Sequence, residues 1–90
     1  MKSVKQIFDE AFNGQTNIMT PKVLEYGWLK KNKICYELSE GKDMWNGKIY
    51  GLTVIEVMPD GELEKRRDLR DCYNNLTVAK ATIKQLKEDV

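Results

Sequence analysis

The sequence predicts a single α+β domain in which a three- or four-stranded antiparallel sheet is flanked by an N-terminal and a C-terminal helix. Apolar residues recur at helical spacing near both ends of the chain, whereas between residues 22 and 69 they alternate with a period of two. Ninety residues suit one hydrophobic core, and the 41% hydrophobic and 32% charged fractions are typical of a folded globular chain. We therefore assign residues 1–90 to one domain with the order α-β-β-β-(β)-α.

The first helix is predicted to begin after Ser3. Ser3 and Gln6 have the spacing of a capping box, in which each residue satisfies a free N–H group of the other. Asn13-Gly14 supplies residues that tolerate the left-handed conformation at a helix end. Between these signals lies one apolar stripe, formed by Val4, Ile7, Phe8, Ala11 and Phe12.

Alternating apolar and polar residues predict three strands and a weaker fourth, at residues 22–31, 33–39, 49–58 and 62–69. A short hairpin connection joins the first two strands. A loop at residues 41–47 contains the favoured turn pair Asn46-Gly47 and precedes the third strand. Pro59-Asp60-Gly61 then forms the turn into the fourth strand, because proline presets φ and glycine tolerates positive φ.

The last helix is predicted to be capped by Asn74 or Asn75, and its apolar stripe consists of Leu76, Ala79, Ile83, Leu86 and Val90. We expect the stripes of the two helices to share one core, which would contain Val4, Ile7, Phe8, Phe12, Ile83 and Leu86.

Both faces of the third strand are mostly apolar, which indicates a central strand with cover on both sides. If both helices lie on one face, the other face stays open and carries an aromatic surface. Such a face can be covered by a loop or a second copy of the chain, or it can bind a foreign partner.

The composition removes most of the common catalytic and metal-binding arrangements. The chain has no histidine, and its two cysteines, Cys35 and Cys72, cannot complete a zinc site without carboxylates. The segment from Gly41 to Ile49 fails as a phosphate-binding loop, because its glycines are one residue too far apart and a strand follows. We therefore expect a protein that is not an enzyme, has no cofactor or metal site, and is cytoplasmic with no membrane segment.

Four aromatic residues are candidates for a partner-binding surface: Tyr26, Trp28, Trp45 and Tyr50. Tryptophan and tyrosine dominate interface hot spots because they bury a large area at low entropic cost. Packing in the domain core explains Trp28 at least as well, whereas Trp45 lies in a glycine-flanked loop where the two interpretations are balanced.

Two groups of basic residues keep nucleic-acid binding as the alternative function. The first is Lys30, Lys31 and Lys33 in the first hairpin, and the second is Lys65, Arg66, Arg67 and Arg70 in and just after the fourth strand, of which Arg66 and Arg67 are the candidates. The second group is interleaved with acidic residues, and the formal net charge of the chain is only +1. The element order is similar to that of double-stranded RNA-binding domains. Their Gly-Pro-x-His loop and the lysine pair that begins their last helix are replaced here, which removes the phosphate contacts of two regions.

Most of the chain after the first helix resembles small uncharacterised proteins of bacteriophages and other mobile elements. The segments that carry this resemblance are Thr20-Pro21-x-Val23-Leu24-x-Tyr26-Gly27, Tyr36-Glu37-Leu38-Ser39-Glu40-Gly41, Ile49-Tyr50-Gly51-Leu52-Thr53-Val54-Ile55 and Asp68-Leu69-x-x-Cys72-Tyr73. The resemblance implies a stoichiometric binder of a host or phage protein, for example an anti-CRISPR or other anti-defence inhibitor. A homodimer remains an open alternative.

Overall fold

The computed structural model describes residues 2–90 and has the predicted α+β architecture, with two helices and an antiparallel sheet. In chain order the elements are α1 (Val4–Phe12), β1 (Lys22–Lys30), β2 (Ile34–Lys42), β3 (Lys48–Val57), β4 (Leu63–Lys65), β5 (Asp71–Tyr73) and α2 (Leu76–Asp89). No helix in this part of the chain is long and apolar enough to cross a membrane.

Both helix starts follow the sequence signals. The Ser3 side chain accepts a hydrogen bond from the Gln6 N–H, and the Gln6 side chain accepts one from the Ser3 N–H, so the capping box is confirmed. Asn13 and Gly14 both have positive φ at the end of α1. Asn75 is the cap of α2, and its side chain accepts hydrogen bonds from Thr77 and Val78.

The sheet has β2 and β3 at its centre. These two strands pair without interruption from Ile34 opposite Glu56 to Lys42 opposite Lys48. β1 pairs with the free edge of β2 and contains two irregularities in register. On the other side of β3, β4 and β5 lie one after the other along the same edge.

The fourth predicted strand is shorter than expected. The alternating pattern continues to residue 69, but β4 ends at Lys65, and β5 adds a fifth strand to the sheet. The Arg66 N–H still donates to the Val54 carbonyl, after which a turn leads the chain away from β3. The Arg66 guanidinium donates to Glu56 and to Asp68, two residues further along, and these contacts hold the turn.

The two helices pack on opposite faces of the sheet, so the expectation of one shared core is wrong. Ile83 of α2 belongs to a buried cluster with Tyr36, Leu38, Tyr50, Leu52 and Val54. Val4, Ile7 and Phe8 of α1 belong to a separate cluster with Cys35 and Ile55. Because neighbouring residues of β2 and β3 point to opposite faces, the two apolar faces of β3 each receive a helix. The face that carries Tyr50 is therefore closed by α2 rather than open.

Candidate functional site

The turn between β2 and β3 presents two large apolar side chains to solvent. Met44 is 85% exposed and Trp45 is 82% exposed. Of the four aromatic candidates, Trp45 is the one fully exposed residue. The structure thus favours a surface role for Trp45 over a role in packing.

This turn is internally held by Asp43. Its Oδ1 atom accepts hydrogen bonds from the Trp45 N–H at 2.9 Å and from the Gly47 N–H at 2.8 Å. Asn46 has a φ of 61°, a conformation that asparagine tolerates well, and Gly47 leaves room for the Asp43 carboxylate, because a Cβ atom there would lie 2.9 Å from Asp43 Oδ2. The indole of Trp45 is therefore attached to backbone of defined geometry.

A second exposed apolar pair lies at the same end of the sheet. Ile18 is 94% exposed and Met19 is 62% exposed. The Met19 carbonyl is packed so closely on Gly41 that a Cβ atom there would lie 1.9 Å from its oxygen. The buried Thr20 hydroxyl accepts a hydrogen bond from Ser39 at 2.7 Å. These contacts fix Ile18 and Met19 beside the base of the β2–β3 hairpin.

We refer to Ile18, Met19, Met44 and Trp45 as the apolar end of the molecule. Sequence reasoning found Trp45 with its neighbour Met44 and missed Ile18 and Met19. One sequence signal could have found this pair. Ile18 and Met19 follow a run of polar residues and fit neither the helical spacing before them nor the strand alternation after them. The backbone of this pair packs against Gly41, which has no side chain to keep the segment away from β2.

The other three aromatic candidates do not join the apolar end. Tyr50 is 7% exposed and lies in the core under α2, which corrects its assignment to an open surface. Tyr26 and Trp28 are half-buried and pack against the cluster under α1. The Tyr26 ring lies 5.7 Å from the Phe8 ring, so α1 covers this part of β1.

The two basic groups lie on different edges of the sheet. Lys30, Lys31 and Lys33 are exposed at the turn between β1 and β2, and within residues 2–90 none of them forms an ion pair. Arg66 and Arg67 follow β4 on the far side of β3. Arg66 is neutralised by Glu56 at 2.7 Å and Asp68 at 2.8 Å, so the five predicted basic residues do not form one patch.

A cavity of about 240 Å³ opens on the face of the sheet that α1 covers. Its floor includes Glu37 and Thr53, its walls include Phe12 and the segment of residues 15–17, and its rim includes Lys65, Arg67 and Arg70. We refer to this space as the polar cavity. From the sequence Arg70 belongs to the second basic group, but no signal placed it near Glu37, because the two residues are distant along the chain.

The floor of the polar cavity carries a buried carboxyl group. Glu37 is 9% exposed, and burial raises its pKa. The neighbouring Tyr26 hydroxyl lowers the pKa of Glu37, and the negative charge of Asp9 raises it again. The net result is a pKa above the ordinary value for glutamate. Within the described part of the chain, no positive charge in the site is close enough to the carboxyl group to offset the effect of its burial.

The two cysteines differ in exposure. Cys35 is buried between β2 and α1, and burial raises the pKa of its thiol to about 11, so the thiol is protonated at neutral pH. Cys72 is exposed on β5. Across residues 2–90 no group of three or more side chains is placed to hold a metal ion.

Comparisons of the chain with protein-family models, with curated proteins and with solved structures found no match.

Proposed function

We propose that this protein is a non-catalytic binding module that docks on another protein through its apolar end. The observation that carries the proposal is the exposure of Ile18, Met19, Met44 and Trp45, four large apolar side chains at one end of the sheet. Several large apolar side chains exposed at one end of a small domain are unfavourable in water and are typical of interaction sites.

The backbone beneath these side chains supports the same proposal. Asp43 closes the hairpin turn, and the Asn17 carboxamide accepts a hydrogen bond from the Met19 N–H at 2.9 Å. Binding through ordered turns loses little conformational entropy, because the backbone is already close to one conformation. Trp45 is the expected centre of the interface, since tryptophan is the residue most enriched among hot spots.

The biological setting that we propose is modulation of a host machine by a phage or another mobile element, as with anti-CRISPR and other anti-defence inhibitors. It is supported by the sequence resemblance alone. The net charge of +1 favours an inhibitor that binds protein surface over one that imitates the charge of DNA.

Affinity capture of the tagged chain from its native cell tests the proposal, with nuclease treatment in every arm. Trp45→Ser removes the central side chain of the apolar end. Val78→Ser is the matched control, because Val78 is also an exposed apolar residue, at 51%, but lies on α2. We expect Trp45→Ser to weaken capture of a specific protein by about 30-fold, the size of a hot-spot truncation, and Val78→Ser to leave it unchanged.

Two outcomes would overturn this assignment. Equal capture by the two variants would show that the apolar end is not the interface. A mass that increases with concentration in sedimentation, and that Trp45→Ser returns to the monomer value, would make a second copy of this chain the occupant of the apolar end.

Nucleic-acid binding is the second candidate, favoured by Lys30, Lys31 and Lys33, which are exposed and form no ion pair with the rest of residues 2–90. Phosphate contacts by these lysines would release counterions, so affinity should fall steeply with added salt. If changing the three lysines to alanine leaves both the affinity and its salt dependence unchanged, this candidate is eliminated.

A further inference from the structure

The polar cavity occupies a part of the sheet that neither α1 nor the following segment covers. α1 packs over Cys35 and Ile55, and Thr20 packs over Ser39 and Gly51. Between them lies one cross-strand row, in which Glu37 of β2 is opposite Tyr26 on one side and Thr53 on the other. The row is polar, and its central residue is a carboxyl group at the floor of the cavity.

Glu37 has no charged partner within residues 2–90. No ion pair reaches its carboxyl group, although the residue is nine-tenths buried, and its hydrogen-bonding neighbour in the described chain is the Tyr26 hydroxyl. Within the described residues, every side-chain oxygen that solvent cannot reach has a hydrogen-bond partner. Glu37 lines the cavity, and its oxygens are open to that space. A carboxyl group in this position can accept hydrogen bonds from a ligand that carries N–H donors.

The rim of the polar cavity is positively charged. Arg67 and Arg70 are exposed and have no carboxylate within 4 Å in the described chain, whereas Arg66 is already paired with Glu56 and Asp68. The Lys65 ammonium lies over the Phe12 ring at 4.4 Å from its centre. Two free guanidinium groups and one ammonium group therefore surround the mouth, and guanidinium groups match the geometry of phosphate oxygens.

A ligand that contacts both the Glu37 carboxyl group and the basic rim must combine an anionic group with a second group that donates hydrogen bonds. A volume of about 240 Å³ is smaller than most sites for drug-sized ligands and suits one ring system with the anionic group left at the rim. A simple anion would leave Glu37 unsatisfied, and a simple cation would leave the rim unused.

We propose that the polar cavity binds a guanine nucleotide. The N1–H and 2-amino groups of guanine are adjacent donors that a carboxylate can accept together, and the phosphate would lie against Arg67 and Arg70. The nucleotide can be free or part of a single strand, since both supply a guanine base beside a phosphate. This site is separate from the apolar end and does not depend on the proposed protein interface.

Calorimetric titration of the full chain with guanosine monophosphate, inosine monophosphate and inorganic phosphate tests the proposal. Inosine monophosphate carries the same phosphate and N1–H group but lacks the 2-amino group. We expect the guanine nucleotide to bind about 10-fold or more tightly than the inosine nucleotide, as for loss of one hydrogen bond to a charged group, with phosphate weaker than both. Titration with an oligothymidylate that contains one guanine, against the same strand without it, distinguishes a strand-borne base from the free nucleotide.

Variants locate the binding in the cavity. Glu37→Gln should abolish the preference for guanine over inosine, and Arg67→Ala combined with Arg70→Ala should weaken both nucleotides by about 10-fold or more. Lys31→Ala is the control for a lost positive charge, because Lys31 is exposed at the β1–β2 turn and does not line the cavity, and it should bind both nucleotides like the unchanged chain.

The proposal fails if no guanine ligand binds in either form, or if phosphate alone binds as tightly as the nucleotide. It also fails if guanine and inosine nucleotides bind equally to the unchanged chain. Because Arg67 and Arg70 are exposed, their variant does not depend on the core and keeps the test informative if Glu37→Gln alters folding.

Discussion

The two faces of the sheet differ in how completely they are covered. The face under α2 is closed mainly by apolar contacts, with Leu38, Leu52 and Val54 each no more than 1% exposed. The face under α1 has an apolar part around Cys35, a polar row at Glu37 and a hydrogen-bonded part at Ser39 and Thr20. The first face stabilises the domain, and the second combines stabilisation with a cavity.

Helix length accounts for much of this difference. α1 has nine residues and spans only about 14 Å, whereas α2 has fourteen and spans about 21 Å. A strand of nine residues is about 30 Å long, so α1 covers less than half of it. The chain closes the remainder with the segment of residues 15–20, and the gap between helix and segment forms the polar cavity.

Truncation of one core residue on each face has the largest expected effect. Phe8 is 2% exposed under α1 and Ile83 is 4% exposed under α2. Each change to alanine should lower the free energy of unfolding by about 2–5 kcal/mol in urea denaturation, through lost burial and a new cavity. Because the residues belong to separate clusters, the two losses should add in the double variant. A coupling above about 0.5 kcal/mol would indicate the single shared core expected from the sequence.

Removal of the Thr20 hydroxyl should have a smaller effect on the α1 face. Thr20→Val keeps the shape of the side chain but takes away the acceptor of the Ser39 hydroxyl, which is buried. We expect a loss of about 1–2 kcal/mol in the free energy of unfolding. Thr77→Val makes the same change at an exposed position of α2 and should stay within about 0.5 kcal/mol. Equal values for the two variants would mean that segment 15–20 is not held by this bond.

Glu37→Gln should have the smallest effect and the opposite sign. Burial raises the folded-state pKa of Glu37 above its unfolded value, so protonation favours the folded state. The contribution of Glu37 to stability is therefore largest below its unfolded pKa and is lost as the pH rises through the raised pKa. We expect Glu37→Gln to raise the thermal midpoint at pH 7 and to lose this advantage at acidic pH.

Glu40→Gln is the control for that prediction, because Glu40 is half-buried on the same strand and is not at the floor of the cavity. A thermal midpoint that falls at pH 7 with Glu37→Gln would show that the ionised carboxyl group stabilises the fold. That result would contradict the view that the α1 face retains Glu37 at a cost in stability.

Local sequence signals determined both helices, the three long strands and the turns that join those strands. The Ser3–Gln6 capping box, the Asn13-Gly14 end, the Asn75 cap and the Asn46-Gly47 turn all act between residues a few positions apart, and each is present in the structure. The two apolar faces of β3 also indicated a central strand with cover on both sides. Such signals are readable because the interacting groups are close together in the chain.

Only the tertiary structure decided which helix covers which face, and with it the location of both candidate sites. An apolar stripe predicts that a helix packs against the rest of the domain, but it does not predict which side of the sheet the helix covers. The same limit applies to Glu37, which alternation places on one face of β2 without showing that Arg67 and Arg70 lie beside it. Ile18 and Met19 are placed at the apolar end because Gly41 admits the backbone of Met19, a contact between residues more than twenty positions apart. Contacts at such separations depend on the path of the whole chain, which no local pattern encodes.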